Sequence, residues 1–283
     1  MSIVSSTLRT ERLTFAARSV GEGDLVLFLH GITAGAVVWD PVLADLGRDF
    51  RCFAVDQRGH GDSDKPATGY RAEDYVADVA AILDVLGPAR AVVGHSLGAR
   101  NAILAAAVMP DKVGAVVAID FAAGIEPEVF DRLRAARARG DGVLRSVDEV
   151  RQAVRSRSPL LPDDAVERRV QHLYLPTSDD DDGLSTFVES PTVDVGLEPR
   201  AASWAMEQTA AAMDVDLTSA MRGSPVPTLV VRGGDSPFLS QDALEASLAL
   251  RDSIEGAVVP GTDHFVPEEA PAQVAALVRS FLG

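Results

Sequence analysis

The stretch that decides the fold is AVVGHSLGARNAILAAA, which runs from Ala91 to Ala107. It passes from a short β-branched apolar segment, typical of a buried strand, into an alanine-rich segment typical of a helix. Ser96 stands between the two segments, with Gly94 and Gly98 on either side. A serine there can cap the helix, but the glycines also let strand and helix meet in a tight turn that projects the hydroxyl outward. We therefore predict that Ser96 is a nucleophile.

Apolar runs of strand length alternate with helical segments along most of the chain. The runs are LVLFLH from Leu25, RCFAVD from Arg51, AVVGH from Ala91, VGAVVAID from Val113, PVPTLVVRGG from Pro225 and GAVVP ending at Pro260. Strands that alternate with helices in this way are typical of parallel sheets. The pattern predicts an α/β fold with a mostly parallel sheet and flanking helices.

The alternation stops after Phe121 and resumes near Pro225, and the segment between them is rich in Arg, Asp, Ser and Pro. We predict an α/β core formed by residues 1–120 and 215–283, with a helical cap insertion at 121–214. Within the insertion, the acidic run Ser178–Gly183 lacks the ligand spacing of a calcium loop, which favours a solvated tip.

Composition limits the classes of partner. The chain has 42 acidic and 26 basic residues, a formal net charge of −16, which opposes binding to nucleic acid or to an anionic membrane surface. Cys52 is the only cysteine, and neither a signal peptide nor a spanning apolar run is evident. We expect a cytoplasmic protein whose partner is a small-molecule substrate, with no cofactor and no metal. The sequence leaves a homodimer open.

A serine nucleophile requires a base, and the chain has five histidines. His264 lies in the loop after the last predicted strand, where the base is expected when the order is Ser, acid, His. His95 is next to Ser96 in sequence, so its side chain is expected to point away. His30 and His60 belong to His-Gly turns, and His172 belongs to the insertion. We predict that His264 is the base.

The acid that orients this base has two candidates. In the commonest arrangement it lies three residues after the glycine that ends the preceding strand, but that position is Ser236, and Asp235 comes one residue early. Asp120 ends the strand that follows the nucleophile helix. If this strand pairs with the strand that precedes Ser96, the two strands lie about 4.8 Å apart, and a carboxylate at its end can reach the same histidine. We favour Asp120 and keep Asp235 as the alternative. Asp263 is interpreted as a turn residue.

Acyl transfer also requires N–H donors for the developing oxyanion, each worth on the order of 3 kcal/mol in the transition state. The residue after the nucleophile, Leu97, supplies one donor. The loop HGITAG that follows an early strand supplies the second through Ile32.

The motifs HGITAGAVVWDP, AVDQRGHGDSDKP, VGHSLGARN and GTDH, in this order, resemble the α/β-hydrolase fold family over nearly the whole chain. The resemblance implies an eight-stranded sheet and a cofactor-free Ser-His-Asp mechanism with the acid after the sixth strand, which is Asp120. Within the family, the motifs are similar to those of an amide-cleaving enzyme and of small esterases with the same acid placement.

These residues predict hydrolysis of an amide or ester in a small, carboxylated metabolite through an acyl-enzyme on Ser96. Alternatives with the same residues are a carboxylesterase or lactonase acting on neutral substrates and a C–C bond hydrolase. A non-catalytic ligand receptor is disfavoured by the full set of nucleophile, base and donors. Dehalogenase and epoxide hydrolase chemistry is disfavoured because it uses a carboxylate in place of Ser96.

Substrate-binding residues are expected in the insertion and around the elbow. Between Asp131 and Arg169 there are ten arginines and seven acidic residues, and arginine binds carboxylates bidentately. Arg157 is the first candidate, although Ala136 stands where the resemblance leads us to expect a second anchor, and arginines on such helices commonly form a solvated face. The further candidates are Phe121, Trp204 and Phe238.

Overall fold

The computed structural model describes residues 2–139, 144–176 and 196–283. The acidic run Ser178–Gly183 lies outside the described residues, so the interpretation of it as a solvated tip stays a prediction. In the described ranges, no helix has both the length and the apolarity needed to cross a membrane.

The described strands are β1 (Val4–Arg9), β2 (Thr14–Val20), β3 (Leu25–Leu29), β4 (Arg51–Val55), β5 (Ala91–His95), β6 (Val116–Ile119), β7 (Tyr174–Pro176), β8 (Leu197–Pro199), β9 (Thr228–Gly233) and β10 (Ile254–Val259). Eight of them form one sheet in the order β1-β2-β4-β3-β5-β6-β9-β10. Pairing is antiparallel from β1 to β2 and from β2 to β4, and parallel from β4 to β10. The predicted mostly parallel sheet is confirmed.

The described helices are α1 (Asp40–Leu46), α2 (Ala72–Leu86), α3 (Leu97–Val108), α4 (Pro127–Ala138), α5 (Val147–Arg157), α6 (Asp163–Leu173), α7 (Ser203–Ala211), α8 (Thr218–Gly223), α9 (Gln241–Leu248), α10 (Val266–Glu269) and α11 (Pro271–Leu282). Helices cover both faces of the sheet. Along β3, Leu27 belongs to the core that includes α2 and α3, whereas Val26 and Phe28 belong to the core that includes α1 and α11. Burial on both faces explains why the central strands are continuously apolar.

The chain between β6 and β9 carries α4 to α8 and the antiparallel pair β7 and β8. Helices α5 and α6 enclose a small core of their own, separate from the two cores of the sheet. It consists of Val150, Val154, Leu161, Ala165, Val166 and Val170. The helices agree with the predicted insertion, while the pair β7 and β8 was not predicted. The boundaries at 121 and 214 stay a prediction.

The register of the central strands aligns their carboxyl ends. His95 on β5 lies opposite Ile119 on β6, which lies opposite Val231 on β9. The residues that follow, Ser96 and Asp120, donate their backbone N–H groups to the carbonyls of Ile119 (2.9 Å) and Val231 (2.7 Å). The ends of neighbouring parallel strands therefore bring the two side chains to the same edge of the sheet.

Candidate active site

Ser96 occupies a strained turn between β5 and α3. Its backbone has φ 51° and ψ −112°, a region that non-glycine residues rarely adopt and that costs on the order of 1–3 kcal/mol. The side chain is buried, yet it lines a cavity at the carboxyl ends of the central strands. Backbone strain of this kind occurs where the surrounding structure fixes a functional side chain.

Two glycines make this turn sterically feasible. A Cβ atom on Gly94 would lie 2.2 Å from the carbonyl oxygen of Gly98, and a Cβ on Gly98 would lie 2.0 Å from the carbonyl oxygen of Leu29. Strand β5, helix α3 and strand β3 thus approach too closely for any side chain at these positions. The sequence pattern predicted this close approach from the glycines alone.

Asp120 and His264 form a buried hydrogen-bonded pair. The distance between His264 Nδ1 and Asp120 Oδ2 is 2.7 Å, and the two residues are 6% and 0% exposed. Because Nδ1 faces a carboxylate, the neutral imidazole carries its proton on Nδ1 and leaves Nε2 unprotonated. The alternative acid, Asp235, is exposed, and its backbone N–H donates to the carbonyl of Thr262. The structure therefore joins His264 to Asp120.

Two side chains fix the plane and the loop of His264. Phe238 stacks on the imidazole with a centroid distance of 3.8 Å and an interplanar angle of 18°. Nε2 of His95 donates to the backbone carbonyl of His264 at 2.7 Å. Asp263 accepts from the N–H of Phe265 at 3.1 Å, in agreement with its interpretation as a turn residue.

The expectation that His95 points away from the site was wrong. Its side chain lines the same cavity as Ser96, and its ring lies 4.7 Å from that of His264. Burial lowers the pKa of His95 well below its usual value, and the neighbouring His264 adds to this effect. His95 is therefore a neutral donor that holds the His264 loop against β5.

The loop after β3 is held by two other histidines. Nε2 of His30 accepts the N–H of Gln57 at 2.9 Å, so Nδ1 carries the proton that faces the Gly31 carbonyl at 2.7 Å. Nε2 of His60 accepts the N–H of Thr33 at 3.2 Å. These two histidines hold the loop that contains Ile32, and Ile32 lines the cavity.

Leu97, the other predicted oxyanion donor, is the first residue of α3. The first N–H groups of a helix have no partner within that helix. The backbone N–H of Leu97 can thus serve as a donor beside Ser96, where the positive end of the helix dipole favours developing negative charge.

Acid is expected to destabilise the loop after β3 through His60. Burial lowers its pKa to about 3 and that of His30 to about 4, with the charge of His30 adding to the effect on His60. Below about pH 6.5 the unfolded chain protonates these side chains before the folded protein does, so the free energy of unfolding falls as pH falls. In His60→Gln, whose amide oxygen can still accept the Thr33 N–H, this fall should be smaller.

Urea unfolding at about pH 7 and about pH 4.5 measures this difference. His172→Gln, in the insertion, is the comparison: burial lowers the pKa of His172 as well, but less than that of His60, so this variant should keep more of the parent's pH dependence than His60→Gln does. An unchanged pH dependence in His60→Gln would show that His60 ionises alike in both states.

The cavity above Ser96 is apolar with a cationic wall. It has a volume of about 150 Å³ and is lined by side chains from the strand ends and from the insertion. The apolar lining includes Phe121, Val129, Phe130, Leu133, Met213 and Phe238, and the charged lining consists of Arg137, Arg157 and Arg169. No carboxylate is among its described lining residues. Such a cavity favours a small anionic ligand with an apolar portion.

Arg169 connects the insertion to the loop of His264. Its guanidinium, on α6, binds both carboxylate oxygens of Glu268 on α10 and lies 4.5 Å from the ring centroid of Phe265. The two ionic side chains are 12% and 3% exposed. Burial opposes the charge on Arg169, but Glu268 outweighs it and raises the pKa of the guanidinium. This buried pair joins α6 to the segment that follows the imidazole.

The predicted substrate-binding residues divide into two groups. Phe121, Arg157 and Phe238 line the cavity. Trp204 does not: it is 40% exposed and packs edge-on against Tyr70, with a centroid distance of 5.7 Å. Arg137 and Arg169 also line the cavity but were not predicted, because their positions on helices of mixed charge resemble a solvated face.

A sequence model of the α/β hydrolase fold matches residues 24–271. The chain belongs to the α/β-hydrolase fold family and is a hydrolase, as its motifs predicted. It is 40% identical over 280 residues to 2-(acetamidomethylene)succinate hydrolase of Mesorhizobium japonicum, which covers 99% of this chain and 95% of that protein.

Solved structures agree with this relationship. The crystal structure of E-2-(acetamidomethylene)succinate hydrolase matches with a TM-score of 0.89 at 40% identity, over 99% of both chains. An enol-lactonase from Burkholderia xenovorans LB400 matches with a TM-score of 0.71 at 23% identity, over 98% of this chain and 99% of that one. The second likeness concerns the fold alone.

Proposed function

We propose that this protein cleaves an amide or ester bond of a small carboxylated metabolite through an acyl-enzyme on Ser96. One observation carries the proposal. Ser96, at its strained turn, and His264, hydrogen-bonded to Asp120, line the same cavity, which also has arginines in its wall. Residues 121–214 act as a cap that limits water and selects the substrate.

The first half of the reaction forms the acyl-enzyme. Nε2 of His264 takes the proton of the Ser96 hydroxyl as the oxygen attacks the acyl carbon. The N–H groups of Ile32 and Leu97 donate to the resulting oxyanion, while Asp120 stabilises the imidazolium. The imidazolium then returns the proton to the leaving nitrogen or oxygen, and the bond from that atom to the acyl carbon breaks.

The second half releases the acid. A water molecule gives a proton to Nε2 of His264 and attacks the acyl carbon. The imidazolium then protonates Ser96 as the ester bond of the acyl-enzyme breaks. The net reaction adds one water across the original bond, and the enzyme returns to its starting state.

The relative that is 40% identical acts, by its name, on 2-(acetamidomethylene)succinate, which carries two carboxylates and one amide. The cationic wall of the cavity supports a substrate of this kind in a chain whose net charge is −16. We propose this dicarboxylated enamide, or a near analogue, as the substrate.

The decisive experiment is a measurement of kcat/KM for (E)-2-(acetamidomethylene)succinate beside neutral esters and lactones of similar size, with Ser96→Ala as the blank. A preference for the dicarboxylate of about a hundredfold or more, close to 3 kcal/mol, would support the proposal. A preference for neutral esters or lactones would retain the mechanism and reject the substrate. Equal turnover by Ser96→Ala would reject the mechanism.

Arg157 is expected to contribute to recognition of the substrate carboxylates. In Arg157→Ala, KM for the anionic substrate should rise about tenfold or more, because a charge-assisted hydrogen bond is lost, whereas KM for a neutral ester should stay nearly constant. Arg155→Ala is the matched control, since Arg155 is on the same helix but pairs with Asp163 outside the cavity. Equal effects on both substrates would exclude this role.

A further inference from the structure

Ser236 stands at the position where hydrolases of this kind commonly carry the acid, and here it contacts the acid supplied by another strand. It lies three residues beyond Gly233, the last residue of β9, and is 8% exposed. Its Oγ is 2.5 Å from Oδ2 of Asp120, the oxygen that also faces Nδ1 of His264.

The hydrogen bonds around Ser236 determine the direction of its hydroxyl proton. Oγ accepts the backbone N–H of Phe238 at 3.0 Å and that of Leu239 at 3.4 Å. Because both are donors, they occupy the lone pairs of Oγ and leave its one proton for Asp120. Ser236 is therefore the donor in its contact with the carboxylate.

The carboxylate of Asp120 is thereby held at both oxygens. Oδ1 accepts the N–H of Gly233 at 3.1 Å, and Oδ2 accepts from Ser236 and His264. Asp120 is completely buried, so no water is expected to replace a missing donor easily. Its backbone has a positive φ of 52°. Hydrogen bonds to charged groups are stronger than neutral ones and restrict orientation more.

The same short loop fixes the imidazole. Phe238, whose N–H donates to Ser236, stacks its ring on that of His264 at 3.8 Å. One turn of chain after β9 thus sets both the rotation of the carboxylate and the plane of the ring that it faces.

We propose that Ser236 is a positioning residue that keeps Oδ2 of Asp120 directed at His264 Nδ1. The inference rests on the proposed function, because it concerns the acid and base of that mechanism. Ser236 acts through Asp120 and does not itself touch the substrate.

Ser236→Ala tests the inference. We expect kcat to fall about tenfold with KM within about twofold, since the carboxylate loses a charge-assisted donor while the cavity wall stays intact. Ser236→Thr, which keeps a hydroxyl, should recover most of the loss. In proton NMR, the far-downfield resonance of the His264 Nδ1–H should shift in Ser236→Ala and stay near its original position in Ser236→Thr.

Ser240→Ala is the matched control. Ser240 lies in the same loop, accepts the N–H of Ala243 at the start of α9 and donates to Glu126, so its loss weakens the loop without touching Asp120. Its kcat and its NMR resonance should stay close to those of the parent protein. An equal fall in kcat for Ser236→Ala and Ser240→Ala, equal losses for the alanine and threonine variants at 236, or an unmoved resonance would overturn the inference.

Failure of the proposed function is separately visible. A fluorophosphonate probe should label the parent protein and leave Ser96→Ala unlabelled. Labelling of both proteins, or of neither, would reject the nucleophile. The NMR comparison needs no substrate, so it reports on Ser236 and Asp120 whichever result the probe gives.

Discussion

Asp120→Asn is expected to lower kcat about ten thousandfold while the protein stays folded. The carboxylate accepts from Gly233 at Oδ1 and from Ser236 and His264 at Oδ2, so an asparagine turns an NH₂ donor toward one of these sides, and in neither orientation does it carry the charge that stabilises the imidazolium. An NH₂ donor at Nδ1 moves the proton of the neutral ring to Nε2, which can then no longer accept the proton of Ser96. Steady-state kinetics, with circular dichroism to verify folding, measures the effect.

Asp235→Asn provides the comparison within the same chain. Asp235 is exposed and lies in the loop after β9, so its kcat is expected to stay within about twofold of the parent. Both variants exchange a carboxylate for an amide of the same size. The opposite order of losses would assign the acid to the loop after β9.

Gly98→Ala is expected to destabilise the protein by about 3 kcal/mol or more and to lower kcat sharply. The added methyl group would lie 2.0 Å from the carbonyl oxygen and 2.8 Å from Cβ of Leu29, so α3 has to move away from β3. Helix propensity alone predicts the opposite, because alanine favours a helix over glycine by about 1 kcal/mol. A fall in the free energy of unfolding would therefore show that close packing outweighs helix propensity at this position, and a rise would show the reverse.

Urea unfolding measures the loss, and Gly223→Ala is the control. Gly223 ends α8, and no atom lies within 4 Å of a Cβ added there, so the change should stay within about 0.5 kcal/mol. If Gly98→Ala were as stable as the parent, the turn at Ser96 would have to accommodate a methyl group that its geometry excludes.

The central strands could be predicted because both of their faces are buried. The runs of β3, β5, β6 and β9 are apolar and buried over almost their whole length, and the structure has a strand in each of them. The strands β1 and β2 escaped prediction, since nearly every residue of β1 is exposed and its sequence, VSSTLR, has no apolar run. An antiparallel edge strand of this kind is held by backbone pairing with β2, which a hydrophobic pattern does not record.

The candidate site was predictable where it depends on local turns and unpredictable where it depends on distant partners. Glycines mark Ser96, and the loop after the last strand marks His264. His95 was misread because the turn at Ser96, with its positive φ, breaks the alternation of side chains at the end of β5. The pairing of Arg169 with Glu268 spans 99 positions of sequence, and nothing local distinguishes it from a surface charge.

The arginines of the cavity attract an approaching anion, whereas the rest of the protein repels it. At a distance the net charge of −16 repels the anion, and this repulsion decays over a Debye length of about 10 Å in 0.1 M salt. Attraction by a half-buried side chain such as Arg137 is screened much less, while the charge of Arg169 is balanced by Glu268. Moderate salt should thus speed the encounter while most of the binding free energy persists. Under the proposed function, preference for anions arises from residence in the cavity, and long-range steering opposes it.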